Sequence, residues 1–248
     1  MAAKIIDVSK HNVVTDWAKV KASGVTGVII RAGYGRVISQ KDKTFEDYYA
    51  GAVKAGLNVG AYWYSYAKTP AEAKTEAAVF LEAIKGKKFD LPVYFDIEEE
   101  SHVALGKTVC TAMAEAFCST MEAAGYFAGV YSFDSFFASN LTEAIQQKYS
   151  CWVARVENVP PKCCKTFGMH QYTWKGSVSG ISGAVDVSYC YKDFPAIIKG
   201  AGLNGYAKDN TKFTVTATKS GLDSNSADVV STKLRDLGMS VVKKEEKT

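Results

Sequence analysis

The chain reads as an α/β protein: an irregular (β/α)8-type, TIM-like barrel with shortened helices, followed by a small C-terminal β-α-β segment. Three observations predict this. Short apolar, β-prone runs alternate with helical patterns through residues 1–202, and such alternation implies parallel strands joined by right-handed crossovers. About eight strands can be counted, most followed by a helix, which is the number that closes a barrel of this kind. Several of the runs end in carboxylates, which a barrel would gather at one rim. A doubly wound open sheet is the alternative. However, no glycine fingerprint of the dinucleotide-binding type follows the first strand, and Gly33-Tyr34-Gly35 after the second reads as a tight turn.

Taken in order, Lys4–Val8 is a strand and Asp16–Ala22 a short helix. Gly27–Ala32 (GVIIRA) is a buried strand, and Lys43–Ala55 a helix closed by Gly56. The aromatic run Asn58–Tyr66 (NVGAYWYSY) is the third strand. Thr69 and Pro70 then open a helix to about Ile84, with the hydroxyl as N-cap and proline in the first turn. Pro92–Glu98 is a strand, Lys107–Ala124 a long helix stopped by Gly125, and Phe127–Ser132 the next strand. A helical stretch covers about Ser135–Gln147. Cys151–Arg155, Met169–Tyr172 and Val185–Val187 are three further strands, and Asp193–Ala201 is helical. The barrel occupies residues 1–202, a polar glycine-containing linker 203–211, and the β-α-β segment 212–248. In that segment KFTVTATK alternates at period two, and Ser226–Leu237 is amphipathic. A piece this small buries little core by itself, so wall anchoring and self-association are its two expected roles.

Composition excludes several classes. Hydrophobic content of 47% with 23% charged residues belongs to an ordinary globular protein, and no apolar run is long enough to span a membrane. A net charge of +4 over 248 residues gives no case for nucleic acid as a partner. None of the six cysteines forms a C-x-x-C pair and the three histidines lie outside ligand spacing, so neither a metal nor another cofactor is expected. Reduced, buried thiols are the expectation, with the adjacent Cys163-Cys164 the oddest feature. The N-terminus passes straight into a strand without the apolar core of a secretory signal. The expectation is therefore synthesis in the cytoplasm and later release.

The most informative stretch is Leu91–Glu98, LPVYFDIE, an apolar strand ending in two carboxylates. Residues two apart in a strand share a face, so Asp96 and Glu98 project together. Asp7 ends the first strand and Asp186 lies in a late one, which predicts four acids at one rim. Paired carboxylates at such a rim are what hydrolysis of a glycosidic bond needs. Crowding raises at least one pKa, and Glu98 is assigned as the general acid. Glu99 and Glu100 are read as solvated, because alternation puts Glu99 on the opposite face. Tyr34, Tyr62, Tyr64, Tyr66, Tyr131, Trp152, Tyr172 and Trp174 are placed at the same rim, where aromatic faces stack on sugar rings. Arg31 is read as orienting a carboxylate, and Gln171 as donating to an acetamido group.

With these residues in place the chain resembles glycoside hydrolase family 25, the barrel-type lysozymes that include many phage endolysins. The resemblance covers about Lys4–Ala201 and rests on ordered segments: IIDVSKHN with a following DW, GVIIRAGYG, VGAYWYSYA, LPVYFDIE, GVYS, WVAR, HQYTWKGSVSGISG and VDVSY. It implies an N-acetylmuramidase acting on bacterial peptidoglycan, at the β-1,4 bond between N-acetylmuramic acid and N-acetylglucosamine, with retention. Carried over by motif, Glu98 protonates the leaving oxygen. Asp96 either stabilises the oxocarbenium-like transition state or orients a substrate acetamido group acting as nucleophile. Asp7 and Asp186 line the site and tune Glu98. Asn12 stands where the family often has glutamine. An endolysin would be released through a separate membrane-lesion protein, a holin. A chitinase-like β-glycosidase is the alternative, but its longer D-x-x-D-x-D-x-E run is absent. A non-catalytic carbohydrate-binding protein would lack the acid pair, and both acids are present.

Overall fold

A computed structural model describes residues 2–156, 159–164 and 166–208. In chain order its elements are β1 (Ala3–Val8), β2 (Val13–Val14), α1 (Trp17–Ala22), β3 (Gly27–Tyr34), a 3-10 turn (Ile38–Gln40), α2 (Phe45–Lys54), β4 (Asn58–Tyr64) and α3 (Pro70–Ala83). There follow β5 (Val93–Asp96), α4 (Glu100–Val103), α5 (Gly106–Ala123), β6 (Ala128–Phe133), α6 (Asp134–Asn140), α7 (Glu143–Lys148), β7 (Ser150–Ala154), β8 (Met169–Gly176), β9 (Ile181–Ser182), β10 (Val185–Cys190) and α8 (Phe194–Ala201). The expected C-terminal β-α-β segment lies outside the described residues.

Thr69 acts as the sequence predicts, accepting from Glu72 N–H at the start of α3 with Pro70 in its first turn. Asp16, read as the first residue of its helix, is instead the N-cap of α1 and accepts from Lys19 N–H. Gly56 and Gly125 follow their helices with φ of +71° and +84°, where a side chain would be strained. The stretch expected as one helix near 135–147 is broken into α6 and α7. The β2–β9 ribbon and α4 had no signal long enough to find them.

The barrel closes in the order β1-β10-β8-β7-β6-β5-β4-β3. All neighbours from β3 to β8 are parallel, and so are β1 and β3. The expectation of uniformly parallel pairing fails at β10, which is antiparallel to both β8 and β1. The reason is chain length. Only residues 177–184 separate β8 from β10, too few for the crossover that a parallel return requires. Because β10 runs downwards, α8 emerges at the barrel floor, where Phe194 and Ile198 are fully buried.

Strand alternation divides the core into two layers. Val28, Ile30, Val59, Val93 and Phe95 face outwards onto Phe45, Phe80 and Phe117 of the helices. Ile5, Ile29, Tyr94, Tyr131, Trp152 and Met169 fill the barrel. The filling is large against small: a Cβ on Gly129 would stand 2.5 Å from the Tyr94 ring. Leu203–Tyr206 is packed under this inner layer, although the sequence assigns it to a linker. Asn204 is fully buried there and makes side-chain bonds to Phe89, Leu91 and Phe127. Polar residues next to glycine read as linker locally; only the barrel floor supplies their partners.

Candidate active site

The acid-bearing segment is held on both sides. Ser65 N–H donates to Asp96 O at 2.9 Å, Ile97 N–H to Tyr131 O at 3.1 Å, and Ser132 Oγ to Ile97 O at 2.5 Å. Asp96 is thereby fixed at the mouth of the barrel, 3% exposed, with Oδ1 lacking a partner. The strand ends at Asp96, two residues earlier than expected. Glu98 follows close by, where its charge acts on Asp96, and is half-buried.

Asp186 reaches this rim for a reason the sequence did not supply. It was expected at the C-terminal end of its strand but is second in β10. The antiparallel run places that N-terminal end among the C-terminal ends of the parallel strands, where Asp186 pairs directly with Asp7 across β1 and β10. Held side by side at this register, the two carboxyls disfavour one another's charge. Burial pushes Asp186 up to about 6. Burial and then the Asp186 charge raise Asp7 well above the usual carboxylate range, while a 2.9 Å bond from Gln171 Nε2 opposes the rise.

Glu98 is pushed up to about 7 by burial, then by the charges of Asp186 and Glu99, with the neighbouring Tyr131 hydroxyl acting the other way. Asp96 is also raised well above its ordinary value, by burial, Glu98 and Asp7; Arg31 opposes. Four crowded carboxyls cannot all be charged at neutral pH, and Arg31 favours charge on Asp96. Arg31 donates from Nε to Asp42 Oδ2 at 2.8 Å, while its Nη2 has no partner. Burial would raise Asp42, but bonds from the N–H groups of Thr44 and Lys10 and from Arg31 outweigh it and hold Asp42 low. Asp42 escaped sequence reasoning, since it lies in a polar loop with no pattern of its own.

A hydrogen-bonded chain runs across the rim. Tyr131 Oη donates to Gln171 Oε1 at 2.7 Å, Trp174 Nε1 donates to the same oxygen at 2.9 Å, and Gln171 passes on to Asp7. A register shift at Tyr172 puts Gln171 and Trp174, three apart, on one side. The same shift leaves Tyr172 on the outer face, stacked on Tyr189 at 4.2 Å, and not in the expected rim cluster. Both amide ends of Gln171 are therefore committed within the rim.

Trp152 is also corrected. It was expected to contact substrate, but it is 2% exposed, donates from Nε1 to Ser188 Oγ, and packs on Tyr131 at 4.5 Å and Tyr94 at 5.1 Å. It forms the floor under the acids. Tyr62 stands edge-on to it at 6.4 Å, next to Asp7, whose charge adds to burial in raising the Tyr62 hydroxyl. Tyr66 and Trp174 are the open aromatic faces, 48% and 43% exposed, with Tyr34 edge-on to Tyr66. Glu99 is not a free solvated charge: its Oε1 accepts from Tyr64 Oη at 2.6 Å. The alternation used to exclude it had already ended at Asp96. Beside Trp174 a groove of about 490 Å³ opens between Phe133, Arg155, Lys162 and Cys163. Among the described residues no group of three or more His, Cys, Asp or Glu could hold a metal ion.

Comparison with known proteins agrees with this geometry. The sequence profile of glycosyl hydrolases family 25 matches residues 6–181. An autolytic lysozyme of Clostridium acetobutylicum is 31% identical over 186 residues, covering 74% of this chain and 54% of the relative. The chain thus spans about half the length of that curated relative. The crystal structure of the CTP1L endolysin is 30% identical with a TM-score of 0.68, covering 80% of this chain and 70% of that one. The modular autolysin LytC of Streptococcus pneumoniae is 30% identical with a TM-score of 0.68, covering 77% and 47%. A closed mixed barrel, four carboxyls at its mouth and a matching profile over most of the chain lead to one assignment: the chain belongs to glycosyl hydrolases family 25.

Proposed function

We propose that this barrel is an N-acetylmuramidase that cleaves the β-1,4 bond between N-acetylmuramic acid and N-acetylglucosamine in bacterial peptidoglycan, with retention of configuration, as part of an endolysin. The observation that carries it is Glu98, a half-buried acid raised to about 7, two residues from a buried carboxyl with an unpartnered oxygen. A group of that pKa is protonated for a sizeable fraction of molecules near neutrality and can donate to the glycosidic oxygen as the bond breaks. Asp96, whose charged form Arg31 favours, faces the developing oxocarbenium ion or accepts from the acetamido N–H of the muramoyl residue. Arg31 Nη2 and Asp96 Oδ1 are the two buried polar atoms near the centre left for substrate. Asp7 and Asp186 line the site, and the Asp186 charge helps to keep Glu98 protonated. Tyr66 and Trp174 offer stacking faces to neighbouring sugars.

The test is mass spectrometry of fragments released from purified peptidoglycan, with reducing ends labelled by borohydride. Reduced muramic acid termini are expected, and reduced glucosamine termini would overturn the bond assignment. Action at the cell wall fits the autolysin and endolysin relatives. No described helix is long and apolar enough to cross a membrane. We assign release to a holin-type protein. Cells expressing the chain should lyse only when a membrane-lesion protein is co-expressed. Self-association through residues 212–248 is the remaining reading. Light scattering of the full chain against one ending at Lys208 decides it, and two monomers would reject it.

A further inference from the structure

We infer that Glu99 is a fifth carboxylate of the active site, a positioning residue clamped by Tyr64 so that its charge holds the proton on Glu98. The inference rests on Glu98 being the general acid. Three observations carry it.

Glu99 occupies the N-cap position of α4, yet its side chain makes no capping bond to that helix. The carboxylate reaches instead to the Tyr64 hydroxyl, which donates to it at 2.6 Å. Tyr64 is the last residue of β4 and pairs in register with Asp96 of β5, so the clamp anchors Glu99 to the rim that carries the acids. Finally, Glu99 is half-buried beside Glu98, where its field is less screened than that of a solvated side chain.

The groups facing Glu98 are Asp7 and Asp186 from β1 and β10, Asp96 from the end of β5, Tyr62 and Tyr64 from β4 and Tyr131 from β6. Arg31 on β3 is paired with Asp42 and opposes, without outweighing, the rise of Asp96. The bond partner of Glu99 is a neutral phenol, which fixes the carboxylate in place without cancelling its charge. That is the arrangement suited to raising a neighbouring acid.

The experiment is the pH profile of kcat/KM on peptidoglycan for the full chain and for Glu99→Gln, which keeps an acceptor for Tyr64 and removes only the charge. The alkaline limb should move down by about one pH unit, so that the ratio of variant to wild type falls from near one at pH 5 to about one tenth at pH 8. Tyr64→Phe, which releases the clamp, should shift the limb the same way by less. A carbon-13 NMR titration of the Glu98 carboxyl reads the same shift without substrate, so it decides the inference even if the bond cleaved is not the one proposed. An unmoved Glu98 titration in a folded Glu99→Gln protein overturns the inference. So does a loss of activity that is uniform across pH, which would make Glu99 a substrate contact or a structural tie.

Discussion

Asn204→Ala tests the claim that the barrel floor is sealed by a segment that looks like linker. Asn204 Oδ1 accepts from Phe127 N–H at 2.6 Å, and Nδ2 donates to Phe89 O at 3.2 Å and Leu91 O at 2.9 Å. Truncation strands one buried donor and deprives two buried carbonyls of a partner. The orphaned N–H costs about 2 kcal/mol and each carbonyl about 1 kcal/mol, because each carbonyl keeps a second lone pair. Asn204 also sits at φ +54°, where alanine adds about 1 kcal/mol. Partial compensation by water brings the expected loss to about 3–5 kcal/mol. Urea unfolding at constant m-value measures it. Asn204→Gly removes the backbone strain but not the orphaned groups, so it should be the milder by about 1 kcal/mol. All these bonds lie at the end of β5 and β6 opposite the acids, so kcat of the folded variant should match wild type. A loss below about 1 kcal/mol would refute the reasoning, since three buried bonds of this kind cannot be that cheap.

Other expected outcomes concern the acids directly. Glu98→Gln should abolish peptidoglycan cleavage with an unchanged circular dichroism spectrum; an active variant would remove Glu98 as the proton donor. Asp96→Asn should lower kcat by about 10²-fold or more, and a loss under threefold would make Asp96 structural. The raised acids also make stability depend on pH. Glu98 and Asp186 hold protons in the folded chain that the unfolded chain has released, so their contribution weakens as pH rises from about 4 through about 6 to 7. Asp186→Asn should therefore raise the urea midpoint at pH 7.5 by about 2 kcal/mol equivalent and leave it unmoved at pH 3.5; an equal change at both would show that the effect is not ionisation. Asp42→Ala frees the Arg31 guanidinium, and a several-fold rise in KM with an unchanged fold should follow, measured by steady-state kinetics on soluble glycan chains.

What residues 1–208 declare by themselves is local and periodic. The cap at Thr69, the helix stops at Gly56 and Gly125, and the apolar runs ending in Asp7 and in Asp96-Ile97-Glu98 depend on bonds and side-chain periods within a few residues. Those were legible, and with them the closed barrel and the pair of carboxyls at its mouth. Tertiary structure decided the rest. It turned β10 antiparallel and so delivered Asp186 from the opposite end of its strand. It sank Trp152 below the site. It tied Glu99 to Tyr64, Arg31 to Asp42, and Asn204 to the floor. Each of these joins groups 11 or more residues apart. Their energy comes from burial and from satisfying a particular distant partner, and neither quantity is defined until the chain has closed on itself.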